Sequence, residues 1–95
     1  MDLTDPDSID AFARAIVQSG LAVDILVNNA GIMASPRLER DARGNELQLS
    51  TNHLGHFQLT NRLWPALRRA GGARVVSVSS LGHHLSDIVW DDINF

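Results

Sequence analysis

The sequence predicts an α/β chain built on one parallel strand–helix–strand unit. Three observations lead there. Two short branched-aliphatic runs, residues 23–27 and 74–79, are nearly unbroken in apolar character, as strands covered on both faces of a parallel sheet are. Each run stops abruptly in small polar residues. Between them lies a long stretch of helical patterning, ample for the crossover that joins parallel strands, and such crossovers are right-handed.

The elements follow in order. Asp5-Pro6 opens a helix, because a carboxylate suits the N-cap and proline suits the first helical position. Ile9, Phe12, Ala13, Ile16 and Val17 then share one face at 3.6-residue spacing. Gly20 stands where a helix C-terminus favours a left-handed residue, so a helix is expected over 6–18. The first strand, 23–27, ends at Asn28-Asn29-Ala30-Gly31, and residues 32–45, with Pro36, Gly44 and Asn45 among charges, read as a loop. Helical patterning covers 46–70, with Leu49, Leu54, Phe57, Leu59, Leu63 and Leu67 available for burial. Pro65 predicts a kink or break near Trp64, since proline removes a helical donor and clashes with the preceding turn. Gly71-Gly72 ends the helix, and the second strand, 74–79, runs into Ser79-Ser80. Residues 85–95 show no clear period.

Composition narrows the functions. Ninety-five residues make at most one domain, and chains of this size have thin stability margins. The net charge of −3 argues against binding a nucleic-acid backbone, which asks for a basic face. There is no cysteine, which excludes disulfides and thiolate metal sites. The acidic N-terminus lacks the basic and apolar regions of a signal peptide, and Asp24 interrupts the best apolar run, so no membrane span is expected and the chain reads as cytoplasmic. Zero Tyr appears, and all eight basic residues are Arg. No step needing a Tyr or Lys side chain can be completed within these residues.

In open parallel sheets, ligands bind beyond the carboxyl ends of the strands. Asn28-Asn29-Ala30-Gly31 and Ser79-Ser80-Leu81-Gly82 occupy both such ends. Small side chains there admit a ligand close to the backbone, while amides and hydroxyls orient it. Asn, Gly and Ser also favour turns for purely local reasons, and two such ends one unit apart favour a site over that simpler account.

On these residues the chain resembles a known family. Residues 24–31 are similar to the strand-and-turn signature of short-chain dehydrogenases, Asn52-His53-Leu54-Gly55-His56-Phe57 to their central-helix segment, and residues 74–80 to the strand that delivers their active-site Ser. The order and spacing also match, and Leu81-Gly82-His83-His84 resembles the retinol-dehydrogenase-like branch. The resemblance implies a Rossmann-type doubly wound parallel sheet, of which residues 1–95 supply a part, the central strands and their helices. It implies hydride transfer between NAD or NADP and an alcohol/carbonyl pair, on a small-molecule substrate of lipophilic character, in a parent enzyme compatible with homo-oligomers. By the same resemblance, Asp2 and Leu3 contact adenine, and Asn28, Ala30 and Gly31 line the adenosine ribose region. Asn52 holds the long helix in a kinked geometry and supports a water in proton relay; Ser80 hydrogen-bonds the substrate oxygen.

Two departures stand beside it. The family's proton donor is a Tyr followed four residues later by a Lys, and neither type occurs in this chain. The glycine-rich dinucleotide loop belongs after a strand upstream of Asp2, and Gly71-Gly72, preceding a strand, cannot replace it. The 95 residues therefore read as a partial dinucleotide-binding domain, inactive alone. A non-catalytic relic and a binding module of the same fold remain open. So does a Ser hydrolase built from Ser80, His83 or His84 and Asp87, although Val78-Ser79-Ser80-Leu81-Gly82 lacks the first glycine of a nucleophile elbow. His53 and His56, three apart, do not complete a recognisable metal site. Trp64 and Trp90 read as packing residues. In the implied fold the first strand lies between the second and one upstream. With one edge unpaired the chain alone is expected to be insoluble or molten.

Overall fold

The computed structural model describes all 95 residues. Helix α1 spans Pro6–Gln18 and strand β1 spans Ile25–Asn28. The long crossover comprises α2 (Leu47–Leu49), a π-helical segment (Ser50–Leu54), α3 (Gly55–Arg62) and α4 (Trp64–Arg69). Strand β2 (Arg74–Ser77) follows, then 3-10 turns at Leu81–His84 and Trp90–Asp92.

Helix α1 forms as its sequence dictates. The Asp5 carboxylate accepts from the Asp7 and Ser8 amides at 3.0 and 3.4 Å, a cap contributing about 1 kcal/mol. Pro6 occupies the first turn, and Gly20 adopts φ +79° just past the end. The buried face carries Ile9 and Ala13, with Ile16 half-buried behind them. Phe12 departs from the expected face and is exposed. Leu59, Leu63 and Leu67 of the crossover complete the core, each large side chain contributing roughly 1.5–3 kcal/mol on burial. Leu49 and Leu54 are only half-buried, and Phe57 is exposed. Asp10, which accepts from Gln58 and Arg62 at 2.9 and 2.8 Å, ties α1 to α3 across the solvent side. Those bonds hold its carboxyl below the usual range, Gln58 contributing most.

The expected strand–helix–strand unit is present. Strands β1 and β2 pair in parallel, with Ile25 opposite Arg74 and Asn28 opposite Ser77. Both strands are shorter than their apolar runs suggest. The Val23 amide donates to the Ala66 carbonyl in α4, which takes Val23 out of the sheet. The Val78 amide donates to the Asn28 carbonyl, extending the pairing by one bond beyond β2. The crossover breaks at Leu63, with φ −82° and ψ −3°. Pro65 is the second residue of the new helix α4, where its missing N–H costs nothing.

Coverage on both faces of the sheet is not what the structure has. Side chains alternate along a strand. Leu26 packs on the helices, whereas Ile25 and Val27 point the other way and are 65% and 54% exposed. Val76, opposite Val27, is likewise bare. The apolar content of β1 and β2 thus provides for two covered faces, and helices α1, α3 and α4 cover one of them.

Candidate functional site

The carboxyl ends of β1 and β2 lie side by side, since Asn28 pairs with Ser77. Beside them, over the helix-facing side of β2, is a groove of about 480 Å3. Asn52, His56, Phe57 and Thr60 line one wall, and Val75, Ser77 and Ser79 the other.

Asn52 sits in the middle of the π-helical segment, where the Gly55 amide reaches back five residues to the Ser50 carbonyl. Such one-turn widenings are frequent at functional sites. The Asn52 side chain grips the chain leaving β1 with both ends of its amide. Its Oδ1 accepts from the Ile32 amide at 2.8 Å, and its Nδ2 donates to the Ile32 carbonyl at 2.8 Å. The helix is thus distorted at the residue that the resemblance singles out, but its break near Pro65 is a separate event eleven residues on.

Gly31 lies against that amide. A Cβ there would stand 3.1 Å from Asn52 Oδ1 and 3.5 Å from its Cγ. Two hydrogen bonds hold the amide in place, so a side chain at position 31 could be accommodated only by weakening them. Ala30 presents its carbonyl to His56 Nε2 at 2.7 Å. Asn28 is 7% exposed and donates through Nδ2 to Thr60 Oγ1 at 3.0 Å, while its Oδ1 is buried without a partner. Of the residues named from sequence, Asn28, Ala30, Gly31 and Asn52 therefore form one connected cluster.

Ser80 stands apart from it. It caps the 3-10 turn Leu81–His84, its Oγ accepting from the Gly82 amide at 3.0 Å. That leaves the hydroxyl proton available, since a hydroxyl accepts and donates at once. Ser79, not Ser80, lines the groove. His83 Nδ1 contacts the Ser80 backbone carbonyl, not its hydroxyl, so that histidine is not oriented to activate a Ser80 nucleophile. No three His, Asp or Glu side chains gather into a metal-holding group.

Asp2 is held by bonds to Thr4 and Ser8, and Leu3 lies against the start of α3. Asp2 Oδ1 accepts from both the amide and the hydroxyl of Thr4 at 2.8 Å, and these bonds lower its pKa, the backbone one most. Its second carboxylate oxygen has no such partner. Leu3 crosses α3 at Gly55, where a Cβ would fall on the Leu3 carbonyl oxygen and 2.9 Å from the Leu3 Cβ. Gly55 is the residue that lets this segment reach the helix.

The loop before the crossover is knotted by Asp41. Its side chain, 1% exposed, accepts from Ser50 at 2.7 Å, Arg43 at 2.8 Å and the Asn45 amide at 3.0 Å. Burial alone would raise its pKa; the bonds from Ser50, Asn45 and Arg43 outweigh burial and hold the carboxyl well below the ordinary range. The knot anchors Ser50, the first residue of the π-helical segment, and so supports Asn52 from behind.

Sequence reasoning did not assign roles to His56, Thr60 or Gly55. Asn52, His56 and Thr60 recur every fourth residue along the helix, beside the row that carries Leu59 and Leu63. That polar stripe is the signal that could have found them.

A parallel strand–crossover–strand unit with small polar strand ends, one of them clamped to the crossover helix, is part of a Rossmann-type fold. Residues 1–90 match the short chain dehydrogenase family. The chain belongs to that family. A Streptomyces antibioticus protein named "Probable oxidoreductase" is 48% identical over 95 residues, which are 100% of this chain and 31% of that protein. Bovine retinol dehydrogenase 12 is 44% identical over 98% of this chain and 29% of its own length. Human retinol dehydrogenase 13 is 42% identical over 100% and 28%. The chain thus spans about a third or less of the curated relatives it matches. Among solved structures, an uncharacterised protein from Mycobacterium paratuberculosis superimposes with a TM-score of 0.83 at 44% identity, over 99% of this chain and 32% of that one. A short-chain dehydrogenase from Streptomyces avermitilis gives 0.67 at 33% identity, over 99% and 35%. The fold and the retinol-dehydrogenase-like resemblance expected from sequence are both borne out.

Proposed function

We propose that these residues form the middle of the cofactor and substrate site of an oxidoreductase that uses NAD or NADP to interconvert an alcohol and a carbonyl. The observation that carries the reading is the clamped exit of β1. Asn52 holds Ile32 by two hydrogen bonds, and Gly31 beside it keeps the backbone bare. A dinucleotide needs such a surface, because its ribose and adenine lie flat against main chain at the ends of parallel strands.

Asn28, Ala30 and Gly31 would face the ribose region of the cofactor, and Asp2 and Leu3 the adenine. The Asp2 carboxylate retains one oxygen without an internal partner, which fits an acceptor for an amino group. A nicotinamide bound there would supply or remove the hydride. Negative charge then develops on the substrate oxygen, and the free proton of the Ser80 hydroxyl is suited to stabilise it. Asn52 keeps the crossover helix and the β1 exit in register beside that reaction.

The chain holds neither Tyr nor Lys, so the proton donor and the pyrophosphate cradle must come from residues other than these 95. Alone they are inactive on this reading. The names of the retinol dehydrogenases among its relatives support a lipophilic alcohol as substrate. No helix is long and apolar enough to cross a membrane; a cytoplasmic site of action and a homo-oligomeric enzyme belong to the same proposal.

The test is to titrate NADH and NADPH separately into the full-length gene product, following nicotinamide fluorescence and calorimetric heat. Binding of one or both, with turnover of a hydrophobic alcohol that falls in Ser80→Ala, is the expected result. Failure of both dinucleotides to bind at millimolar concentration would sink the reading.

A further inference from the structure

The crossover helix meets the exit of β1 through a ladder of polar contacts whose spacings match. Asn52 bonds the Ile32 backbone, His56 meets the Ala30 carbonyl, and Thr60 meets the Asn28 amide. Every fourth residue of the helix answers every second residue of the chain leaving the strand, in opposite directions. The match is metric. Four helical residues rise about 6 Å, and two extended residues about 6.6 Å. One rung, Asn52, is already part of the site; the other two are not accounted for by it.

We propose that His56 and Thr60 are positioning residues that set the backbone of the 28–32 turn and, through it, the affinity for the dinucleotide. The inference rests on the cofactor reading of that turn for its functional half, and on hydrogen-bond geometry for its structural half. A carbonyl can only accept, so His56 Nε2 carries the proton and donates it to Ala30. Nδ1 is buried and has no partner, which leaves the Ala30 bond as the polar contact orienting the ring. The contact is 2.7 Å long, and it aims the Ala30 carbonyl toward the helix and away from the ligand side of the turn. Thr60 does the corresponding work at the strand end. Asn28 is buried with its Oδ1 unpartnered, so the Thr60 hydroxyl is the side-chain partner that fixes the rotation of its amide. Between these rungs the Asn29 side chain makes no hydrogen bond to the helix and remains exposed.

The experiment compares His56→Leu, His56→Gln and Thr60→Val with the parent, all as the full-length gene product. Three readouts are taken: dissociation constants for NADH and NADPH, amide exchange at Ile32, and thermal melting. Glutamine carries an N–H donor on a flexible chain that can reach the Ala30 carbonyl; leucine fills the space without donating. The expected result is about tenfold weaker binding in His56→Leu, the scale of one lost hydrogen bond, with faster Ile32 exchange and recovery of both in His56→Gln. Thr60→Val is expected to weaken binding in the same direction. Leucine and glutamine variants that lose affinity equally, or a leucine variant that binds like the parent, would overturn the proposal. A parent that binds neither dinucleotide defeats the cofactor reading and the functional half of this one together. The structural half is then decided by Ile32 exchange, which supports it if faster in His56→Leu than in His56→Gln and refutes it if equal in the two.

Discussion

The bare face of the sheet sets how these 95 residues behave in isolation. A folded monomer of 10.4 kDa is expected to expose roughly 5,400 Å2. This chain exposes 6917 Å2, an excess of about 1,500 Å2 over that scaling. If a little over half of the excess is apolar, as protein surface usually is, the burial forgone is of order 20 kcal/mol at ~25 cal/mol per Å2, as an upper bound. The net stability of a domain this size is only about 5–15 kcal/mol, so the shortfall is as large as everything a fold of this length normally retains. The shape agrees: the radius of gyration is 14.9 Å where roughly 12 Å is usual for this length. The test places the 95 residues alone in dilute buffer at neutral pH. Dye binding to exposed apolar surface, weak near-ultraviolet circular dichroism beside retained helical signal, and self-association on size-exclusion chromatography are expected. Replacing Ile25 and Val27 together by Thr should reduce the association without restoring a cooperative melt. A monomer with a sharp thermal transition and no dye binding would contradict this, because it would mean that the exposed apolar surface of the sheet face and of residues 78–95 costs the fold little.

Further consequences concern single residues in the full-length gene product. Gly55→Ala should destabilise by about 1–3 kcal/mol despite the roughly 1 kcal/mol that alanine adds to a helix, because the new methyl meets Leu3 backbone rather than a movable side chain; a higher melting temperature would contradict this. Gly31→Ala should loosen the Asn52 grip and, under the proposed cofactor role of that turn, weaken dinucleotide binding with little change in melting, as calorimetric titration would reveal. Asp41 has a folded pKa held below its unfolded value near 3.8, so its contribution is complete at pH values well above 4 and is lost as pH falls toward the folded value. Asp41→Asn should therefore cost about 1–3 kcal/mol at neutral pH and flatten the acid limb of the stability curve below pH ~4. An unchanged acid limb on chemical denaturation would show that the knot carries no such linkage.

How much of this was legible beforehand depended on the range of the interaction involved. Helix α1 was readable to its first and last residue, because Asp5, Pro6 and Gly20 act within a turn of their own positions. The break at Leu63 followed from Pro65 for the same reason. Strand ends were less readable: Val23 is apolar like its neighbours, and only its bond to Ala66 of α4, more than forty residues on, removes it from the sheet. The turn at Asn28–Gly31 and the residue Asn52 were visible singly, as small polar residues where a sheet ends and an asparagine inside a helix. Their union was not, since the amide of Asn52 and the backbone of Ile32 meet only after the crossover folds back. Phe12 and Phe57 were expected inside and lie outside, because periodicity identifies an apolar face without saying whether anything is packed against all of it.

The order of elements, the parallel unit and the family follow from the amino-acid pattern alone, since these rest on local patterning and on residues with unusual backbone demands. The tertiary structure alone decided which residues share a site: the ladder of Asn52, His56 and Thr60 against Ile32, Ala30 and Asn28, the seat of Leu3 on Gly55, and the Asp41 knot behind the π-helical segment. Each of these joins chain segments distant in sequence, or fixes a rotamer by a partner, and a one-dimensional pattern carries spacing but not the packing that turns matched spacings into contacts.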